Sequence, residues 1–252
     1  MDASVQGSHA AAVRSLGTGA TRHAALVRVT HWVTTLAVLA LLVTGAEIVV
    51  SHPRFYWGDE GNVNTPALFQ LPIPSSREAV PTGYDYVLPD QNGWSRSLHF
   101  EAAWALVLAG LLYGVHGLVS GHFRRDLLPS PDSLRPAAFA RSLASHLRFT
   151  RPGPEEAWSY NPVQRLAYLG VVFVLVPLMV WTGLAMSPAV VSALPGPLSV
   201  FGGHQSARTL HFAATILLTA FVVVHVVMVI RAGFGNRTRA MLTGAAVQEE
   251  DR

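Results

Sequence analysis

The chain has 252 residues, half of them hydrophobic and only 13% charged, and its mean hydropathy is positive. This composition is typical of a membrane protein, and the basic pI does not indicate a nucleic-acid partner, because the positions of the arginines have a different explanation. The absence of cysteine excludes, within this chain, thiolate-bound iron–sulfur clusters, covalent haem attachment, disulfide bonds and thiol catalysis.

Four apolar segments reach the length of about 20 residues that a helix needs to cross the hydrocarbon core. They cover approximately residues 32–50, 100–119, 166–186 and 209–230. All 18 basic side chains are arginine, and only Arg54, Arg77, Arg96 and Arg208 lie in the connections after the first and third segments. The positive-inside rule therefore predicts an all-α membrane protein, a four-helix bundle with both termini and the middle connection in the cytoplasm.

The same pattern divides the chain into a membrane domain between two tails. We predict a disordered cytoplasmic tail over residues 1–22, the membrane domain over 23–240, and a second cytoplasmic tail over 241–252. The first tail is rich in Ala, Ser and Gly, a composition that cannot bury enough apolar surface to fold.

The two long connections differ in composition. The periplasmic connection, 51–98, contains prolines that disfavour regular elements, and its aromatic residues indicate an ordered cap or a docking surface for a periplasmic partner. Within the cytoplasmic connection, 120–163, residues 137–149 have the pattern of an amphipathic helix on the membrane surface. Pro177 is expected to kink the third span or to be accommodated by a neighbouring helix.

Histidines in the apolar segments are the main candidate site. His211 and His225 are 14 residues apart in the fourth segment. A helix places them on nearly one face and about 21 Å apart along its axis. Two such side chains suit a protein that holds two haems, one near each surface. For a single histidine, a structural role or a position beside a cavity is the alternative.

The topology then pairs the histidines by depth. His31 begins the first span and His225 ends the fourth, so both are expected near the cytoplasm. His99 and His211 begin the second and fourth spans, so both are expected near the periplasm. The prediction is two bis-histidine sites for two b-type haems, because the missing cysteines exclude covalent attachment.

Two further histidines fit this pattern less well. His116 is rotated about 100° from the face of His99, which makes it a poor second ligand from the same helix. His204 would compete with His211 only if the fourth helix began early, and Gly202 and Gly203 argue that it begins later.

An arginine stands three residues before three of the proposed ligands, at Arg28, Arg96 and Arg208. On a helix the two side chains share a face, with the guanidinium toward water, where it would bind a haem propionate in bidentate fashion. The alternative is that arginines simply flank membrane spans.

Several short motifs occur in the order and spacing of a known family. They are R-x-x-H-W at Arg28–Trp32, LVTG ending at Gly45, R-x-L-H at Arg96–His99, YN-x-x-Q-[RK] at Tyr160–Arg165, TG at Thr182–Gly183, and the pair His211 and His225. From about Arg28 to Gly244 the chain resembles the four-helix cytochrome b (gamma) subunits of membrane-bound formate dehydrogenase, nickel–iron hydrogenase and thiosulfate reductase. The first connection is longer than expected for formate dehydrogenase.

The resemblance implies the same two b haems in the pairing above, and a quinone site beside the inner haem. Carried over, the quinone residues are Asn161 and Gln164, whose neutral amides are suited to hydrogen-bonding a quinone carbonyl. Capping of the third helix by Asn161, with Pro162 in the first helical position, is a compatible alternative.

The implied function is an electron-transfer and anchoring subunit in a bacterial inner membrane. Electrons would pass between a periplasmic catalytic or iron–sulfur subunit, of a molybdenum or nickel–iron oxidoreductase, and the quinone pool. Partners would be that subunit, quinone and lipid, with no nucleic acid, and any catalysis would be limited to quinone reduction or quinol oxidation. A self-sufficient transmembrane reductase is a further possibility.

An alternative from another class is a haem-free four-span transporter, or a metal or proton carrier that uses the same histidines. A transition-metal site needs histidines and carboxylates clustered at one depth. Glu47 and Glu101 lie only near the outer end, which fits a carrier poorly.

Overall fold

The computed structural model describes residues 23–62, 64–73, 93–148 and 162–244. Four helices within these ranges are long and apolar enough to cross a membrane, and we number them spans one to four. They are Ala25–Ser51, Gly93–Val119, Pro162–Ala185 and His204–Arg231. The prediction of a mostly helical chain with four apolar spans is therefore confirmed.

Shorter elements connect the spans. They are the strands Arg54–Phe55 and Phe69–Gln70, the π turn Phe123–Leu127, the 3₁₀ turn Pro131–Leu134, and the helices Pro136–Leu147, Pro188–Ala193, Gly196–Val200 and Phe234–Thr243. Pro136–Leu147 coincides with most of the predicted amphipathic helix. The predicted tail 1–22, much of the first connection (74–92), residues 149–161 with Asn161, and residues 245–252 lie outside the described ranges.

Each span ends within one residue of its predicted limit but begins several residues earlier. Hydropathy marks only the apolar part of a helix, whereas the helical backbone continues through the polar residues that precede it. Span four shows this most clearly, because it begins at His204, directly after the glycine pair that was expected to delay it. His204 is exposed in the first turn.

Span three contains a π segment that accommodates Pro177. Residues Pro162–Gly170 and Val176–Ala185 are α-helical, and Val171–Leu175 between them is a π turn in which the N–H of Val176 donates to the carbonyl of Val171. Proline has no N–H and disrupts the regular α-helical ladder, and a wider turn just before it takes up the mismatch. The proline is thus accommodated within its own span.

The four spans form two hairpins. Span two packs along span one, and the second half of span three packs along span four. The buried positions in these seams are mostly small residues, which let helix backbones approach closely in lipid. They include Ala37, Thr44, Ala102, Ala109, Thr182, Ala185, Ala207 and Ala214. Spans one and four approach each other closely at few backbone positions, which leaves space between the hairpins for facing side chains.

One end of the bundle, which we call the loop end, carries the connection 52–73. Strands Arg54–Phe55 and Phe69–Gln70 pair antiparallel there, which corrects the expectation that prolines would prevent regular elements. The strand pair is short and lies between the prolines. Phe55 is buried against Phe69 and Phe212, so this part of the connection is fixed to the start of span four.

Hydrogen bonds reinforce that attachment. The hydroxyl of Thr209 donates to the carbonyl of Tyr56 (2.7 Å), and the N–H of Gly58 donates to the hydroxyl of Ser206 (2.7 Å). Gly203, with φ +125°, precedes the helix where a Cβ atom would collide with Gly58 and Asp59. Only glycine combines this backbone conformation with so close an approach.

The opposite end, which we call the terminal end, is closed by the helix Phe234–Thr243. Arg28 Nη1 donates to the carbonyl of Leu242 (2.6 Å), and Trp32 Nε1 donates to that of Met241 (3.2 Å). This helix crosses the boundary at residue 240 that separated the predicted membrane domain from the tail. The helix Phe234–Thr243 is held by tertiary contacts, and hydropathy cannot predict such contacts.

Candidate functional site

Two histidine rings face each other at the loop end, across the space between the hairpins. His99 belongs to span two and His211 to span four, and their ring centroids are 6.3 Å apart with an interplanar angle of 59°. Each residue lies in the second turn of its helix, about 10 Å along the axis from the first residue. The described structure thus brings together the two histidines that were predicted to share a depth.

A second pair faces across the same space at the terminal end. His31 of span one and His225 of span four have ring centroids 6.5 Å apart and an interplanar angle of 53°. Span four therefore contributes one imidazole to each pair, as the 14-residue spacing predicted. His116 and His204 belong to neither pair.

These separations are those of ring centroids, so the facing ring atoms of each pair lie about 4 Å apart, near van der Waals contact. The centroid separations agree with two imidazoles bound to one metal ion from opposite sides. With metal–nitrogen bonds of about 2.0–2.1 Å and about 1.1 Å from each nitrogen to its ring centroid, the expected separation is about 6.3 Å. Both pairs are spaced as axial ligand pairs would be.

The number of ligands at each end also discriminates between metal sites. Among the described residues no group of three or more His, Cys, Asp or Glu side chains could hold a metal ion. A bare transition metal bound by protein alone needs such a cluster. An iron whose four equatorial ligands come from a porphyrin needs only two imidazoles, so the paired histidines fit haem.

At the loop end, threonine hydroxyls hold both imidazoles. Thr44 Oγ1 lies 2.8 Å from His99 Nδ1, and it also lies 2.7 Å from the carbonyl oxygen of Ala40. A carbonyl can only accept, so when the single hydroxyl proton points to Ala40 the hydroxyl oxygen accepts from the imidazole. In this arrangement His99 carries its proton on Nδ1, which leaves the Nε2 lone pair free for a metal.

His211 is held in the same way by the second hairpin. Thr182 Oγ1 lies 2.9 Å from His211 Nδ1 and 2.7 Å from the carbonyl oxygen of Leu178. The same reasoning places the proton on Nδ1 and the free lone pair on Nε2. Each hairpin therefore supplies one imidazole from its second helix and one threonine from its first.

The terminal pair has a different environment. Phe221 stacks on His225 with ring centroids 5.8 Å apart, and Tyr168 meets the same ring edge-on at 6.3 Å. Nδ1 of His31 is buried without a hydrogen-bond partner among the described residues, and so is Nε of Arg28 one turn away. Two orphaned polar atoms on one helix face indicate that this end is completed by a group other than the described chain.

The three predicted propionate arginines have distinct settings. Arg208 donates to the carbonyls of His52 and Arg54 and to Oε1 of Gln205, and its guanidinium lies 4.9 Å from the centroid of the Phe55 ring. Arg28 contacts the last helix, as described above. Arg96 is exposed near the start of span two. A propionate contact stays a prediction for all three.

Of the two predicted quinone residues, only Gln164 is described. It is half-buried in the first turn of span three, beside Arg165, whose Nη1 donates to the carbonyl of Leu128 (2.8 Å). This turn belongs to the same half of span three as Tyr168, which contacts His225. Asn161 lies just before the described part.

The sequence analysis did not identify Thr44 and Thr182 as partners of the histidines. A signal was present, because two motifs are repeated in the two hairpins. VTG at 43–45 matches WTG at 181–183 except in its first residue, and RSLHF at 96–100 matches RTLHF at 208–212 except in its second residue. Repeated threonines and histidines in corresponding helices would have predicted two equivalent contacts.

Comparison with known proteins agrees with this arrangement. The family described as prokaryotic cytochrome b561 matches residues 22–244. A putative protein-methionine-sulfoxide reductase subunit, YedZ1, of Azospira oryzae is 30% identical over 207 residues, covering 82% of this chain and 89% of the relative. A probable Ni/Fe-hydrogenase B-type cytochrome subunit of Cupriavidus necator is 26% identical over 230 residues, covering 86% of this chain and 81% of the relative. No solved structure matches.

The family match extends over all four spans and both histidine pairs, and both relatives are described as subunits of redox enzymes. It also agrees with the resemblance to the cytochrome b subunits that the motifs indicated. The chain belongs to the prokaryotic cytochrome b561 family, the b-haem membrane subunits that carry electrons for oxidoreductases.

Proposed function

We propose that this protein is a di-haem cytochrome b subunit that carries electrons between a periplasmic oxidoreductase subunit and the quinone pool of the bacterial inner membrane. The observation that carries the proposal is the pair of facing histidines at each end of span four, with ring centroids 6.3 and 6.5 Å apart. One pair alone would supply a single carrier near one surface. Two pairs at opposite depths supply a route across the membrane.

The ligands would be His99 and His211 at the loop end and His31 and His225 at the terminal end. Bound b haem supplies reversible one-electron oxidation and reduction. The chain supplies the imidazoles and sets the separation of the two sites. His211 and His225 fix that separation at about 21 Å along span four.

The arginine distribution supports an orientation with the terminal end in the cytoplasm and the loop end in the periplasm. The connection 52–73 would then face the partner subunit, and its exposed Trp57 and Leu68 offer apolar contact area. Both relatives are named as subunits of reductase or hydrogenase enzymes. A periplasmic molybdenum or nickel–iron subunit is accordingly the proposed partner.

Quinone would exchange electrons at the terminal end. Gln164, with Asn161 just before the described part, lies on the half of span three that reaches His225 through Tyr168. Neutral amides there can hydrogen-bond a quinone carbonyl without adding charge beside the histidine pair. Protons would come from the cytoplasmic surface next to this end.

Haem content tests the proposal. The purified full-length chain should be red, with a reduced-minus-oxidised b-type spectrum and two haems per chain. A colourless, folded preparation from haem-replete cells would refute the proposal and favour the haem-free carrier. One haem per chain would refute the two-site arrangement while retaining the family assignment.

A further inference from the structure

We propose that Thr44 and Thr182 are positioning residues that make the loop-end imidazoles stronger electron donors than His31 of the terminal end, and so lower the midpoint potential at the loop end. The inference rests on the proposed function, because it concerns histidines that act as haem ligands. It adds a difference in midpoint potential between the two ends, which two histidine ligands at each end would not by themselves produce.

The first step is the direction of the hydrogen bonds. Each threonine hydroxyl has a carbonyl four residues earlier in its helix at 2.7 Å, and that carbonyl takes the only hydroxyl proton. The oxygen of each hydroxyl is then left to accept from Nδ1 of the facing histidine, at 2.8 Å for His99 and 2.9 Å for His211. The opposite direction would require the hydroxyl to abandon its carbonyl.

The second step is that water does not compete with these bonds. Both threonines have 0% exposed surface, so water does not replace the hydroxyl. Threonine is also branched at Cβ, which restricts its rotamers in a helix. The contact is therefore a fixed property of each hairpin.

The third step is the effect on the ligand. An imidazole that donates its Nδ1 proton to a hydrogen bond becomes a more basic ligand through Nε2. A more basic ligand stabilises the oxidised iron more than the reduced iron and lowers the reduction potential. Both loop-end ligands have this bond, whereas His31 Nδ1 has no partner among the described residues.

The consequence is a built-in contribution to the direction of electron flow. Two ligand hydrogen bonds lower the potential at the loop end, and no described residue makes a corresponding bond to Nδ1 of His31. This contribution favours transfer from the loop end to the terminal end. It is supplied by side chains that touch neither iron nor substrate.

The test uses Thr44→Val and Thr182→Val, which keep the branched shape and remove the hydroxyl, and the matching serine variants, which restore it. Thr219→Val is the matched control, because the Thr219 hydroxyl donates to the carbonyl of Thr215 and makes no hydrogen bond to a histidine among the described residues. Each full-length variant is purified, its haem is counted, and both potentials are titrated. A His31→Ala background isolates the loop-end haem.

We expect each valine variant to raise the loop-end potential, to leave the other unchanged, and to weaken loop-end haem retention by about 10–100-fold, the usual effect of losing such a partner. Serine should restore both properties, and Thr219→Val should change neither. Two haems with unaltered potentials in the valine variants would overturn the inference alone. Wild-type protein without two haems would instead overturn the proposed function and this inference with it.

A measurement on the wild-type protein covers the case in which the valine variants do not fold. Histidine labelled with ¹⁵N should report slowly exchanging Nδ1 protons on both loop-end ligands, because the bonds are buried. Rapid exchange at these nitrogens would overturn the inference.

Discussion

The two histidine pairs have nearly the same ring separation, but the chain supports them in different ways. The loop-end pair is held by two equivalent threonine contacts, one from each hairpin, and by a connection fixed to span four. The terminal pair is surrounded by aromatic rings and closed by a separate helix, and it leaves a buried nitrogen of His31 without a partner among the described residues.

This difference suits two tasks. A site that only receives and passes an electron gains from a fixed environment, since fixed ligands need little rearrangement. A site that also meets a second molecule needs unfilled hydrogen-bonding capacity and an element that can adjust. Under the proposed function the loop end is a site of the first kind and the terminal end a site of the second kind.

The largest expected effect is the loss of one haem when a proposed ligand is removed from either end. His211→Ala should lose the loop-end haem and His225→Ala the terminal-end haem, so that each variant retains one haem per chain. The two residual spectra and potentials should differ from each other. Haem content and redox titration measure this.

The control for these variants is His116→Ala, which should retain both haems because His116 belongs to neither pair. If His116→Ala loses a haem while His31→Ala keeps two, the pairing is wrong and span two carries both ligands of one site.

A smaller effect, on the temperature of haem release, is expected to differ between Arg208 and Arg28. Arg208 donates to three acceptors, whereas Arg28 donates to one carbonyl among the contacts described. Hydrogen bonds from charged groups contribute about 1.5–3 kcal/mol each. We expect Arg208→Gln to lower the temperature of haem release at the loop end more than Arg28→Gln lowers it at the terminal end.

The same variants examine the predicted propionate contacts. Loss of a positive charge beside a propionate should also lower the potential of that haem, because the oxidised form is then better stabilised. A change in release temperature with an unchanged potential would assign Arg208 to holding the connection only. Equal effects of the two variants would contradict the comparison.

The smallest expected effect concerns quinone. Gln164→Ala or Asn161→Ala should leave both haems bound and slow electron exchange with added quinone. Loss of one hydrogen bond, about 1 kcal/mol, corresponds to roughly a fivefold change. Haem oxidation by quinone, followed at the haem absorption band in membranes, measures the rate.

Gln205→Ala is the matched control for this experiment, because Gln205 is a glutamine of the loop end. Its quinone kinetics should equal those of the wild type. The reverse result, with Gln205→Ala slowed and Gln164→Ala unaffected, would place quinone at the loop end.

Depth along the membrane was the part of the structure that the sequence could predict. Apolar length located the spans, and the spacing of His211 and His225 predicted one imidazole at each end of span four. These inferences need only helix geometry and hydropathy. The described structure brings the same residues together, and their role as ligands stays a prediction.

Helix geometry and hydropathy could not predict how each span is rotated about its axis, or which tertiary contacts attach the shorter elements to the spans. Which face of span one meets His99 depends on how two helices pack, so Thr44 could not be paired with it from hydropathy. The helix Phe234–Thr243 has a polar composition, and its contacts with Arg28 and Trp32 help to fix it to the bundle. The strand pair at the loop end depends on a partner segment about 15 residues away in the chain.

The division into hairpins has a consequence for biosynthesis. The ribosome completes the first hairpin, with His99 already facing Thr44, before span four has been made. Both histidine pairs require span four, so neither pair can close until the last span enters the membrane. A chain that stalls before His211 would display His31 and His99 as half-sites, so neither haem could gain its second ligand before synthesis of span four is complete.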